Sequence, residues 1–280
     1  MNKKSIILCI FYAWMSILCY GQTGRLFTAD QELSSSMINS IYQDHNGIIW
    51  IATEDVLNKY DGAKFSIYKS DKNDEHSLAN NYVRCVFESS KKECFVGTLS
   101  GLQHYSADAD RFTDIPLILQ DGIIVEPNVA AIEELSNGDL LVGTAGQGLF
   151  KITNTHKGLV GISMEKRIPI PIVNALHEDR NGNLWISAGE NGIFRIDRNQ
   201  QLHCYQKGAN ESEYTISSIC ETPDKQIYIG SLGKGLLKYN PTLDLFEPII
   251  YANHPELPVK SLLLATPDEI YIGTDGYGLK

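Results

Sequence analysis

The chain has 280 residues, a formal net charge of −10, 43% hydrophobic residues and six cysteines. An acidic balance of this size argues against a nucleic-acid footprint, whose phosphates need a basic surface, and against anionic membrane surfaces.

Residues 1–21 come first: Lys3 and Lys4, an apolar run from Ile6 to Leu18, then Cys19-Tyr20-Gly21. This pattern predicts a secretory signal peptide cleaved after Gly21. The apolar run falls short of the about 20 residues that a bilayer span needs, and Leu18 stands where a lipid anchor at Cys19 would require a small residue. Cleavage removes two lysines and no acids, taking the formal charge from −10 to −12 and placing residues 22–280 outside the cytoplasm. Cys85, Cys94, Cys204 and Cys220 then remain, without the spacing of a disulfide framework. Cys85 and Cys94 are expected on adjacent strands two residues out of register, too far apart to bridge. The expectation for all four is a buried free thiol on a strand.

Next, Arg25-Leu26-Phe27-Thr28 reads as an outermost strand that completes the final repeat. From there one motif recurs, as Ile49-Trp50-Ile51-Ala52-Thr53, Cys94-Phe95-Val96-Gly97-Thr98, Leu140-Leu141-Val142-Gly143-Thr144, Leu184-Trp185-Ile186-Ser187-Ala188, Ile227-Tyr228-Ile229-Gly230-Ser231 and Ile270-Tyr271-Ile272-Gly273-Thr274. The anchors Trp50, Phe95, Leu141, Trp185, Tyr228 and Tyr271 are separated by 45, 46, 44, 43 and 43 residues, which is the blade spacing of a β-propeller. An alternating strand such as Val83-Arg84-Cys85-Val86-Phe87 precedes each anchor, with a turn such as Asp44-His45-Asn46-Gly47 or Asp179-Arg180-Asn181-Gly182 between them. A third strand follows a Gly-containing loop and a fourth, more variable one comes after it, for instance Leu202-His203-Cys204-Tyr205. The predicted fold is therefore all-β: four-stranded antiparallel blades, strands A to D, with A innermost. Burying an aromatic anchor is worth at most about 4–6 kcal/mol, so packing between blades accounts for the recurrence.

Two irregularities stand out. The loop between strands B and C is one residue shorter in blades 1 and 2, and blade 1 has Val56 where the others have Gly, so blade 1 must turn differently there. The sixth repeat reaches only the start of strand C at Gly278-Leu279-Lys280, which leads us to expect a longer polypeptide.

The stretch from Leu33 to Thr53, followed by Leu57-Asn58-Lys59-Tyr60-Asp61-Gly62, resembles the two-component regulator propeller repeat. This resemblance extends through all six copies. It implies the N-terminal periplasmic sensor of a Bacteroidetes hybrid two-component system, with seven blades to a ring, that detects oligosaccharides released from complex glycans. In that family a second propeller, a β-sandwich, a membrane helix, a histidine kinase, a receiver and often a DNA-binding domain follow, linking sensing through a phosphorelay to transcription. No histidine phosphoacceptor box or ATP-binding box occurs in these 280 residues, so any kinase activity belongs to other parts of such a protein.

Other chemistries find less support. The Asp-box of propeller sialidases places Asp two residues before Gly, whereas Asp44 and Asp179 stand three before Gly47 and Gly182, and only Arg84 lies on an A strand to clamp a carboxylate. Asp44 with Asn46 and Asp179 with Asn181 superficially suit calcium, but no downstream acid completes a loop site and the spacing is that of a hairpin turn. The seven histidines form no HxH or HxxxH pair, and no cofactor or metal is expected. Propeller ligands meet the face built by the D-to-A and B-to-C loops. There the sequence places Asn80, Asn81, Tyr82, Glu126, Asn128, Glu190, Asn191, Tyr214, Lys234, Asp275 and Tyr277, a mixture of rings for stacking and planar polar groups for sugar hydroxyls. The favoured reading is a non-catalytic periplasmic sensor of an oligosaccharide that works with other portions of its own polypeptide and can pair as a homodimer. The alternatives are a secreted protein-interaction scaffold and, less favoured, a glycosidase.

Overall fold

The computed structural model describes residues 27–28, 33–205, 215–251, 257–267 and 269–280. The expected signal peptide and Tyr214 lie outside the described residues. The chain divides into two compact units, residues 1–33 and 34–280. In the first, the Leu33 N–H donates to the Thr28 carbonyl at 3.2 Å. Of the strand expected at Arg25–Thr28, Arg25 and Leu26 are outside the described residues, and Phe27 and Thr28 belong to no strand.

Residues 34–280 form the propeller. Blade 1 comprises Ile38–Gln43, Ile49–Thr53, Leu57–Tyr60 and Phe65–Tyr68, and blade 2 comprises Val83–Glu88, Cys94–Thr98, Gly101–Ser106 and Arg111–Ile115. Blade 3 has Val129–Glu134, Leu140–Thr144, Gly148–Thr155 and Gly158–Ser163; blade 4 has Ala175–Glu178, Leu184–Ser187, Ile193–Ile196 and Leu202–Tyr205; blade 5 has Ile216–Glu221, Ile227–Ser231, Gly235–Asn240 and Leu245–Ile249. All five are antiparallel in the order A-B-C-D, while the sixth sheet has two strands, Val259–Thr266 and Glu269–Thr274. Consecutive A strands pack side by side. Blade 3 is wider than its sequence suggests: Leu117–Ile118 runs parallel to its D strand and pairs in turn with Ile124–Val125.

Buried apolar residues fall into clusters that each join two successive blades. Trp50, Phe95, Leu141 and Trp185 are buried in them, and Tyr228 is half-buried against blade 6. Tyr271 is 46% exposed, because no further sheet packs on blade 6 among the described residues. The small step after each anchor has a steric cause. A Cβ on Gly97 would sit 2.6 Å from Val129 Cγ1 and 3.1 Å from the Val129 carbonyl, so the first residue of the next A strand leaves room only for hydrogen. In blade 4 this position is Ser187, whose hydroxyl donates to the Ile216 carbonyl of blade 5 at 2.8 Å.

A second link repeats along four joints. The last residue of an A strand is a glutamate that accepts the backbone N–H of the preceding blade's A–B turn: Glu88 from His45 at 2.8 Å, Glu134 from Ser90 at 2.5 Å, Glu178 from Ser136, and Glu221 from Arg180 at 3.1 Å.

The turns obey local chemistry. Gly47, Gly138 and Gly182 take φ of +81°, +83° and +75°, the left-handed region a tight hairpin requires. Asp44 and Asp179 are filled by protein donors. Asp44 accepts from the Asn46 and Ile48 N–H groups and from Trp50 Nε1 at 3.0 Å; Asp179 accepts from the Asn181 and Asn183 N–H groups and from Trp185 Nε1 at 2.8 Å. Val56 is absent from the positive-φ residues, whereas Gly101, Gly148, Gly192, Gly235 and Gly278 all have positive φ.

Of the described cysteines, Cys94 and Cys220 are buried, Cys85 is half-buried and Cys204 is exposed, which corrects the expectation of four buried thiols. Cys204 sits on an outermost D strand, where one face meets solvent. Cys94 lies opposite Glu88, and Cys85 opposite Gly97, so the two thiols are three residues out of register rather than two. Burial pushes both thiols up to about 12.

Candidate functional site

Five of the six A strands share an irregularity at their second residue. Register shifts fall between Ile38 and Ser40, Val83 and Cys85, Val129 and Ala131, Ile216 and Ser218, and Val259 and Ser261. The extra residues are Asn39, Arg84, Ala130, Ser217 and Lys260, and in blade 4 Asn174 occupies the matching place just ahead of its strand. A β-bulge re-aims a side chain and sharpens local twist. Here it does so blade after blade around the axis.

Asn39, Arg84, Asn174, Ser217 and Lys260 all line one central cavity of about 660 Å³, together with Ile38, Ile41, Leu262 and Leu263 among others. Among the described residues, five of the six blades contribute, and the charged lining residues are both cationic. Arg84 is half-buried and has no ion pair among the described residues, whereas Lys260 is exposed and 3.8 Å from Asp275. Asn39 Nδ2 donates to the Val83 carbonyl at 2.8 Å and Ser217 Oγ to the Val259 carbonyl at 2.6 Å, so both also tie neighbouring blades together.

Among the described residues, none of the loop positions singled out in the sequence lines this cavity. Asn80 donates to Ser100 Oγ at 3.0 Å and accepts the Tyr82 N–H at 2.8 Å, and Asn81 accepts the Ser70 N–H at 2.7 Å. These amides are engaged in shaping their loop. Tyr82 donates its hydroxyl to Glu54 at 3.1 Å; burial and then this carboxylate raise its pKa above the usual phenol value. Ser100 and Glu126 line a separate cavity of about 430 Å³ between blades 2 and 3, which brings Glu126 near Asn80. Asn128 is half-buried, and its Oδ1 has no hydrogen-bond partner. Glu190 and Asn191 are exposed in a 3-10 turn, Gly189–Asn191. Lys234 is half-buried and its N–H donates to Ser231 Oγ at 3.2 Å, while Asp275 and Tyr277 are exposed. The described loop candidates thus lie outside the cavity that the A-strand bulges line. Only Arg84 was noticed in the sequence, as the one arginine on an A strand. The signal that could have found the others is the position itself, second in five of the A strands and just ahead of the fourth.

Comparison with known proteins agrees with this architecture. The two-component regulator propeller family matches residues 32–55 and 168–190. These are the A–B regions of blades 1 and 4, the two in which a turn aspartate holds a tryptophan. A structure described as the extracellular domain of a hybrid two-component system from B. thetaiotaomicron superposes with TM-score 0.76 at 21% identity, covering 91% of this chain and 34% of that one. A second B. thetaiotaomicron extracellular domain, described as from a one-component system, gives 0.75 at 17% identity, covering 90% and 36%. The fold is also shared with streptogramin B lyase, at TM-score 0.61 and 16% identity over 86% of this chain and 78% of that one. In sequence, Histidine kinase P4 of Formosa agariphila is 31% identical over 83 residues, 28% of this chain and 6% of that protein. The chain therefore spans about a third of the two B. thetaiotaomicron structures and a small part of the kinase. The chain is a β-propeller whose first and fourth blades match the two-component regulator propeller family.

Proposed function

We propose that this propeller is the exported, ligand-sensing part of a hybrid two-component signalling protein, that it detects glycan-derived oligosaccharides, and that it controls a histidine kinase elsewhere in the same polypeptide. The observation that carries this reading is the regulator propeller match in two separate blades. The likeness to extracellular two-component domains and the short kinase similarity support it. The fold by itself is neutral, since streptogramin B lyase shares it. In this reading the D-to-A and B-to-C loops and the central mouth receive the ligand, and the phosphoryl chemistry lies outside these residues.

Two measurements test it. The reading frame that encodes Lys280 should continue into a membrane-spanning helix and a histidine kinase; a stop codon there would favour the scaffold instead. Calorimetry of the chain against glycan-derived oligosaccharides should show saturable binding to at least one of them.

A further inference from the structure

We infer that the central cavity binds an anionic saccharide, one bearing a carboxylate or a sulfate, with Arg84 as the main anion partner and Lys260 at the rim. For the choice of a saccharide this rests on the sensing reading above; for the charge it rests on the cavity alone. In a chain of formal net charge −10, the described charged residues that line this 660 Å³ space are one arginine and one lysine. Its volume lies within the range of small-molecule sites. Arg84 is half-buried without an ion pair among the described residues. A guanidinium in that position offers a planar fork that an oxyanion meets with two parallel hydrogen bonds. Lys260 already faces Asp275 at 3.8 Å in an exposed pair, so its contribution is more strongly screened.

The remaining lining chemistry defines the rest of the ligand. Asn39, Asn174, Ser217 and Ser261 offer amides and hydroxyls, which match sugar hydroxyls, and Ile38, Ile41, Leu262 and Leu263 supply apolar surface. Among the described residues, no aromatic ring lines the cavity. They offer a neutral sugar no stacking platform, whereas an anionic one finds its counter-charge.

The test is calorimetry of the whole chain with three disaccharides of matched size: one carrying a uronate, one a sulfate and one neutral. We expect the uronate or the sulfate to bind at least about tenfold more tightly than the neutral sugar, the difference between the two naming the anion. That binding should weaken as salt is raised. Arg84→Gln should weaken the anionic ligand about tenfold or more, Lys260→Gln only a few-fold, and Lys225→Gln, on an A–B turn at the other face, not at all. An unchanged melting temperature in Arg84→Gln shows that the loss is not unfolding; if that variant is destabilised, Arg84→Lys takes its place, and should retain salt-sensitive binding at reduced affinity. Equal affinity for all three sugars, or anionic binding indifferent to Arg84, overturns the inference. Neutral binding that survives in Arg84→Gln would sink the cavity assignment while leaving the sensing reading intact, and no binding of any of the three overturns the assignment too.

Discussion

The joint between blades 3 and 4 and the joint between blades 4 and 5 share one backbone plan and fill it with different chemistry. In the first, Leu141 packs among Leu149, Ile168, Ile170, Val173, Leu184 and Ile186, an aliphatic wedge. In the second, Trp185 meets Tyr205, Tyr239 and Phe246 at centroid distances of 5.8, 4.9 and 5.7 Å, and Arg195 lies over three of these rings. Tyr205 and Tyr239 both donate to Asp244 at 2.6 Å. The blade 1 to 2 joint repeats this cluster with Trp50, Tyr68, Tyr105, Phe112, Lys59 and Asp110. Yet Glu178 and Glu221 hold the preceding turn in the same way at both joints, and both keep a small residue at the close approach. The comparison teaches that the conspicuous aromatic is the variable part of the motif. The glutamate and the small residue are the parts both joints share.

The largest expected effect tests that contrast directly. Trp185→Ala removes a buried ring, its contacts with three aromatics and the Asp179 hydrogen bond. We expect a loss of about 3–5 kcal/mol in urea unfolding, against about 2–3 kcal/mol for Leu141→Ala, where aliphatic neighbours can partly close the gap. A greater loss at Leu141 than at Trp185 would reverse the assignment of the stronger joint.

The aliphatic joint ends in charge rather than in rings, and pH sharpens the comparison there. Glu133 is pushed up to about 7 by burial; the Glu178 N–H donates to it at 3.2 Å and the Glu178 charge adds to the rise. His177 lies 3.8 Å from Glu133 and 3.6 Å from Glu221, and burial lowers its pKa despite the pull of Glu221. A carboxyl raised in the fold binds its proton more tightly than the unfolded chain does. Its contribution is full below its ordinary 4.5 and is lost as pH rises to about 7. The lowered histidine acts oppositely, present above its ordinary 6.5 and lost on acidification. Glu133→Gln should therefore stabilise the chain at pH 8, by about 3 kcal/mol at most, and leave the acid limb in place. Thermal melts at pH 5 and pH 8 check this; an equal shift at both would show that Glu133 does not titrate in the fold.

Much of this fold was legible because its signals are local. Alternation marks strands, Asn-Gly marks turns, and the anchors Trp50 through Tyr271 mark a period. The lateral hairpin Leu117–Val125 escaped notice because its pairing with Gly158–Ser163 is non-local, and no nearby residue encodes it. The glutamate links were missed although a signal existed: Glu88, Glu134, Glu178 and Glu221 recur with the anchors, but each partner lies 41 to 44 residues away. The central cavity itself was not legible in the sequence. Loops were chosen for polarity, whereas inward aim depends on a bulge, and a bulge depends on strand register that composition does not reveal.

A smaller effect should come from Asp244. Burial raises its pKa, but the Tyr205 and Tyr239 hydroxyls and the Arg195 charge outweigh it, and the net shift is downward. A lowered carboxyl stabilises above its unfolded value and loses that contribution as pH falls through its folded one. Asp244→Asn should cost about 1–2 kcal/mol at pH 7, since the carboxylate is half exposed, and the difference from wild type should shrink as pH falls below the ordinary 3.8. Asp110→Asn at the twin joint should behave alike, because Tyr68 and Tyr105 lower that carboxyl in the same way.

The smallest effect separates two cations at the same strand position of neighbouring blades. Lys151 on strand C of blade 3 pairs with Asp139 at 2.6 Å, and both side chains are more than 30% exposed. Arg195 on strand C of blade 4 is 14% exposed, sits over Trp185, Tyr205 and Tyr239, and donates to the Tyr239 hydroxyl. Methionine keeps the stem of either residue and removes its charge. Lys151→Met should then cost under about 1 kcal/mol and lose even that in high salt, as exposed pairs do. Arg195→Met forfeits contacts with three rings and should cost about 1–2 kcal/mol with little salt dependence, because partly desolvated cation–π contacts escape screening. Urea melts of both variants with and without 1 M NaCl decide the matter: equal losses would mean that the aromatic joint uses its arginine no differently from the way the aliphatic joint uses its lysine.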